Sequence, residues 1–138
     1  MNEKLETLEL VFTSYRDSMD MRGLKVSLDK HAPKMCSYPA LNYLIMPSTR
    51  NLLPQNMERI CNAILDNNWN LLQDFIIESY DMGVRQLTMC CWCTKEQIAH
   101  GKFCPARIIG RYIESKMDIG AGFEFPIKIS YGDGREVL

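Results

Sequence analysis

Residues 84–113 read VRQLTMCCWCTKEQIAHGKFCPARIIGRYI, and the way this stretch folds decides the architecture. From Leu87 to Trp92 the residues are mostly apolar, without the polar alternation of a half-wet strand. Such a run suits a strand buried on both faces, the condition of parallel sheets covered by helices. A polar loop follows. Pro105, directly after Cys104, fits the first turn of a helix, where its missing N–H costs nothing. Ile108, Ile109, Tyr112, Ile113 and Met117 then recur at helical spacing and form the buried side.

Working outward, Leu8, Leu10 and Phe12 make a first strand that runs into the polar turn Thr13-Ser14-Tyr15-Arg16. LKVSL, after Gly23, is a second short strand ending at Asp29-Lys30-His31. Pro33, Pro39, Pro47 and Pro54 punctuate residues 29–54 and predict a long ordered loop with room for one short strand. From Pro54, the residues Met57, Ile60, Cys61, Ile64 and Leu65 trace a helical stripe. Asp66-Asn67-Asn68 is expected to interrupt or bend it, and Leu72, Phe75, Ile76, Ser79 and Tyr80 continue the face to a stop at Gly83. Phe123, Phe125, Ile127, Ile129 and Tyr131 alternate, which predicts a strand over 123–131. Pro126 within it cannot donate to a ladder and marks an edge. Gly132-Asp133-Gly134 reads as a turn. This order predicts one small Rossmann-like three-layer α/β domain over 1–138, with a mostly parallel sheet and an antiparallel edge strand.

Composition limits the function classes. A formal net charge of −1 gives no general attraction to nucleic acid or an anionic membrane. No apolar run approaches the ~20 residues of a membrane span, and the acidic, alternating N-terminus is unlike a signal peptide. Six cysteines without a secretory signal read as reduced thiols of a cytoplasmic protein.

In parallel sheets, ligands sit beyond the carboxyl ends of the strands. Three segments are expected to converge there: Thr13–Arg16, Ser27–His31 and Cys91–Arg107. Three chemistries compete for them. Cys90, Cys93, His100 and Cys104 resemble a zinc set, but strand alternation would turn Cys90 and Cys93 to opposite faces, so no metal is assigned. Cys104, at a helix start near Lys102 and Arg107, is the candidate catalytic nucleophile, and a disulfide to Cys91 or Cys93 is geometrically conceivable. The anion-binding reading asks least. Hydroxyls of Thr13, Ser14 and Tyr15, the helix N–H groups after Pro105, and Arg107 would line one crevice, with Arg16, Lys30, His31 and Lys95 adding charge. Trp92, at the strand end, is placed to stack on a ring, whereas Trp69 reads as core. Asp17, Asp20 and Asp29 default to exposed loop charge. No G-x-G-x-x-G or Walker A sequence occurs.

TSYR after the first strand, RGLKVSLDKHAP with YLIMP, and CCWC…FCPARIIGRYI resemble the domain-of-unknown-function family numbered 488, over roughly residues 8–117. The resemblance implies an α/β domain with a pocket. In it, Thr13, Ser14 and Tyr15 match the first motif, and Ser27 and Pro33 the second, with Lys30 near the family's arginine. Cys91 and Cys104 match the late cysteines. Pro105-Ala106 replace the family's His-Arg, displacing the charge to Arg107.

The expectation is therefore a domain that binds a small anionic, nucleotide-like ligand at Thr13, Ser14, Tyr15, Arg16, Ser27, Lys30, Cys91, Trp92 and Arg107, with room for turnover. No cofactor, nucleic-acid partner or membrane is expected, and a homodimer is admitted. The alternative is a non-enzymatic interaction or ligand-sequestering protein of viral or mobile-element origin.

Overall fold

A computed structural model describes residues 5–29, 32–45, 54–92, 104–120 and 122–131. Its first strand, β1 (Leu8–Ser14), is buried along nearly its whole length, with Leu8, Leu10, Val11, Phe12 and Thr13 all inaccessible. A one-turn helix α1 (Tyr15–Ser18) follows, started by the Ser14 hydroxyl, which accepts from the Asp17 N–H at 3.2 Å. Then come β2 (Leu24–Ser27), a 3-10 turn at Asn42–Leu44, α2 (Pro54–Asp81), β3 (Gln86–Cys91), α3 (Pro105–Asp118) and β4 (Ile127–Tyr131). Among the described residues, no helix is long and apolar enough to cross a membrane.

The four strands form one sheet in the order β2-β3-β1-β4, and every pair is parallel. β3 is central and buried on both faces from Leu87 to Cys91, as its apolar run predicts. The antiparallel edge strand expected at 123–131 is not seen. β4 is an edge strand, but it lies parallel to β1 with Phe12 opposite Tyr131. The reason is α3, which returns the chain to the starting end of the sheet, so the next strand runs the same way. The strand also begins only at Ile127. Phe123 and Phe125 are drawn into aromatic contacts instead. Phe123 meets the Trp69 ring at 5.9 Å, and Phe125 stacks on Tyr80 with centroids 3.8 Å apart.

β2 to β3 and β3 to β4 both step in the same direction across the sheet. Connections of one hand then place both helices on the same face. Accordingly α2 and α3 pack on each other and share one core with Leu10, Phe12, Leu87 and Met89. Among the described residues, α1 and the 32–40 segment lie against the opposite face, around Cys90. The α/β architecture is as expected, with the two long helices on one face and α1 on the other, while the Rossmann-like detail is not confirmed.

Of the interruption or bend expected at Asp66-Asn67-Asn68, the interruption does not occur, and α2 runs for 28 residues as one helix. Its stripe passes through Cys61, Leu65, Trp69, Leu72, Ile76 and Tyr80, and the polar residues between find partners. Asn68 donates to the Tyr43 and Leu44 carbonyls, and Asp66 accepts from the Tyr112 hydroxyl. Tertiary partners here outweigh the weak helix propensity of Asn and Asp. Gly83 ends the helix as expected, with φ 100° and its N–H on the Tyr80 carbonyl.

The proline-rich loop after β2 is described over residues 32–45. Ser27 N–H donates to the Pro39 carbonyl, and Leu41 N–H donates to that of Ser27, so the segment folds back along the β2 edge. LNYLIM forms the 3-10 turn in its described part rather than a strand. The turn expected at Gly132-Asp133-Gly134 lies outside the described residues.

Candidate ligand crevice

β1 and β3 are neighbours in the sheet, yet their onward connections leave in opposite directions, β1 toward β2 and β3 toward β4. The two connections therefore cross the carboxyl end of the sheet, the end at which ligand clefts of parallel α/β sheets form. A cavity of about 290 Å³ lies there. Ser14, Tyr15, Arg16 and Met19 supply one side, at the end of β1 and through α1. Cys91, the last residue of β3, and Trp92 just after it supply another, and Pro33, Met35 and Cys36 close it from the loop. The register carries this geometry, because Ser14 stands opposite Cys91.

The walls are largely apolar. Trp92 meets Tyr15 edge-to-face at 5.2 Å and is itself 61% exposed, leaving ring surface uncovered. Met19 and Met35 are exposed at the rim. Arg16 is a cation on the lining, and it too is exposed.

Asp29, the first described residue beyond β2 and Leu28, binds the crevice together. One oxygen, Oδ2, accepts from the Tyr15 hydroxyl at 3.1 Å and from the Trp92 N–H at 3.1 Å, so loops after three strands meet on a single carboxylate. Burial holds the Asp29 carboxyl above its ordinary range, although both donors pull it down. Burial also pushes the Tyr15 hydroxyl far above its usual value, and the Asp29 charge adds to this, so Tyr15 stays a donor. The expectation that Asp29 is plain exposed loop charge is therefore wrong. Its position just past a parallel strand was the available signal.

The rest of the cover is knitted the same way. Ser18 donates to the Tyr15 carbonyl at 2.7 Å and shares a hydrogen bond with the Tyr38 hydroxyl, while the Cys36 thiol points to the same Tyr15 carbonyl. Cys36, Met19 and Met35 were missed from sequence because apolar loop residues carry no local mark of a cavity wall.

Of the expected ligand contacts, Ser14, Tyr15, Arg16, Cys91 and Trp92 come together on the lining. Ser14 does so with its hydroxyl already engaged in capping α1. Ser27 is buried beside the Tyr15 hydroxyl, whose acidity it favours. Lys30, with His31, lies outside the described residues, as do Cys93, Lys95, His100 and Lys102. Cys104 is placed behind the lining, its sulfur 3.8 Å from that of Cys91. Arg107 is turned away: its guanidinium lies over the Tyr131 ring at 4.2 Å, at the end of β4. Of the zinc set, Cys90 packs with Tyr15 and Cys36 on one sheet face, whereas Cys104 belongs to the core on the other.

Thr13 is fully buried, and its Oγ1, like that of Thr88, has no hydrogen-bond partner among the described residues. Both side chains stand on the sheet face that carries Cys90. Leaving a hydroxyl unsatisfied costs about 1–3 kcal/mol, so Thr13→Val or Thr88→Val is expected to hold or raise stability by about 1 kcal/mol. Urea unfolding measures this. A loss larger than about 1 kcal/mol for Thr13→Val would mean that its hydroxyl is engaged.

Fold and site together define a small parallel α/β domain with an apolar, aromatic-edged crevice at the carboxyl end of its sheet. No protein-family model, curated protein or solved structure significantly matches the chain.

Proposed function

We propose that the protein binds a small molecule bearing a flat ring and an anionic group, of nucleotide-like form, in the crevice between β1 and β3. The observation that carries this reading is the cavity itself, at the carboxyl ends of the adjacent parallel strands β1 and β3. The ring is expected against Trp92 and Tyr15, and the anion beside Arg16. Relative to the expectation from sequence, weight moves from phosphate to ring, because Thr13 is buried, the Ser14 hydroxyl is engaged and Arg107 points elsewhere. The resemblance to the family numbered 488 belongs to this reading, since Ser14, Tyr15 and Cys91 are among its matched positions and line the cavity.

Tryptophan fluorescence tests it. Trp92 is exposed and Trp69 is buried, so a quench that Trp92→Phe abolishes reports the crevice. AMP is expected to quench more strongly than adenosine, with inorganic phosphate silent. Arg16→Ala should weaken AMP roughly tenfold, the worth of one charge-assisted hydrogen bond, and leave adenosine unchanged. Phosphate binding as tightly as AMP, or no response to any of the three, would overturn the reading. The exposed Met19, Met35 and Trp92 around the mouth favour one second reading, a sequestering or interaction module that holds its ligand without turnover. Recovery of unchanged ligand after prolonged incubation separates it from an enzyme.

A further inference from the structure

We propose that Cys91 and Cys104 form an oxidation site, at which a hydroperoxide admitted by the crevice converts the two thiols into a disulfide. The proposal does not depend on which ligand the crevice binds. Cys91 ends β3 and lines the cavity, and Cys104 is the N-cap of α3. Their sulfurs are 3.8 Å apart, although 13 positions separate them in the chain. Both are nearly inaccessible, at 1% and 4%, and Cys91 is the member of the pair that borders the cavity. Two thiols already in contact, one at a strand end and one at a helix start, have only to close from 3.8 Å to the roughly 2 Å of a disulfide.

The other described cysteines lack this arrangement. Cys61 sits on α2 in the helical core, and burial pushes its thiol up to about 11. Burial also pushes the Cys90 thiol up to about 11, on the opposite sheet face. Cys36 shares the cavity, but its thiol is directed to the Tyr15 carbonyl. It serves as an internal control for access.

With hydrogen peroxide the chemistry closes in two steps. The Cys91 thiolate attacks one oxygen and the O–O bond breaks, giving a sulfenic acid and hydroxide, which takes up a proton as water. The Cys104 thiolate then attacks the Cys91 sulfur, forming the S–S bond and expelling the sulfenic oxygen, protonated, as a second water. The two thiols together give up two electrons and two protons. One peroxide becomes two waters.

The test treats the whole chain with hydrogen peroxide, alkylates the remaining thiols, and maps tryptic peptides without reduction. The expected product links QLTMCCWCTK (86–95) to FCPAR (103–107), with fragmentation placing the bond on Cys91 and with four of the six cysteines still alkylated. In Cys104→Ser the link disappears and dimedone traps a sulfenic acid on Cys91. Linkage through Cys90 or Cys93, a disulfide involving Cys36, or six alkylated thiols after excess peroxide would each overturn the proposal. The wild-type map decides by itself if the variant fails to fold.

Discussion

Asp29→Ala is expected to destabilise the protein by about 2–3 kcal/mol, whereas Asp29→Asn leaves it as stable as the parent or more so near neutral pH. The alanine leaves the Tyr15 hydroxyl and the Trp92 N–H without their shared acceptor and unties the loops around the crevice. Because both donors use a single oxygen, an asparagine carbonyl can replace it while removing a half-buried charge. The pH dependence follows from the same geometry. Burial raises the Asp29 carboxyl above its unfolded value. Its contribution is therefore fully present below the unfolded carboxylate range and declines as pH rises through the raised value. Asp29→Asn removes that decline, so its advantage should appear only above this window and vanish in acid. Thermal unfolding at several pH values measures it, with Asp29→Ala lowering Tm by roughly 10 °C. An asparagine variant as unstable as the alanine would show that the negative charge itself is required.

Gly23→Ala carries the largest expected cost, about 3 kcal/mol or more, as the sum of two effects. Gly23 has φ 91°, a left-handed conformation that costs a residue with a side chain ~1–2 kcal/mol. An added Cβ would stand 2.4 Å from the Gln86 carbonyl oxygen, which is backbone of the adjoining strand and cannot rotate away. Forcing an atom into such a site costs a further ~1–3 kcal/mol. The loss falls on the β2 edge, which supports the loop bearing Pro33, Met35 and Cys36. The variant should therefore lose crevice binding along with stability. Urea unfolding together with the Trp92 quench reads both. A variant within about 0.5 kcal/mol of the parent would contradict the close approach of β2 to β3, since surface changes without such contacts fall in that range.

How the elements were legible differs by element. The mostly apolar run of β3 announced a strand covered on both sides, and Cys104-Pro105 announced the helix start, because each signal lies within a few consecutive residues. Likewise the Leu8–Phe12 strand and the stop at Gly83 were plain. The continuity of α2 through Asp66-Asn67-Asn68 was not, since Tyr43, Leu44 and Tyr112, which satisfy those side chains, come from elsewhere in the chain. β4 misled in a different way. Alternation from Phe123 to Tyr131 is equally compatible with a strand and with rings claimed by Trp69 and Tyr80.

For the crevice, the chain order alone determined that Ser14, Tyr15, Arg16, Cys91 and Trp92 would follow strands in a parallel sheet and so gather at one end. Only the tertiary structure decided that Asp29 ties them together, that Arg107 leaves for Tyr131, and that Cys91 and Cys104 touch. The physical reason is range. Element type is written in local hydrophobic pattern, whereas hydrogen-bond acceptors, ring stacking and sulfur contact depend on strand order and register, which no local pattern encodes.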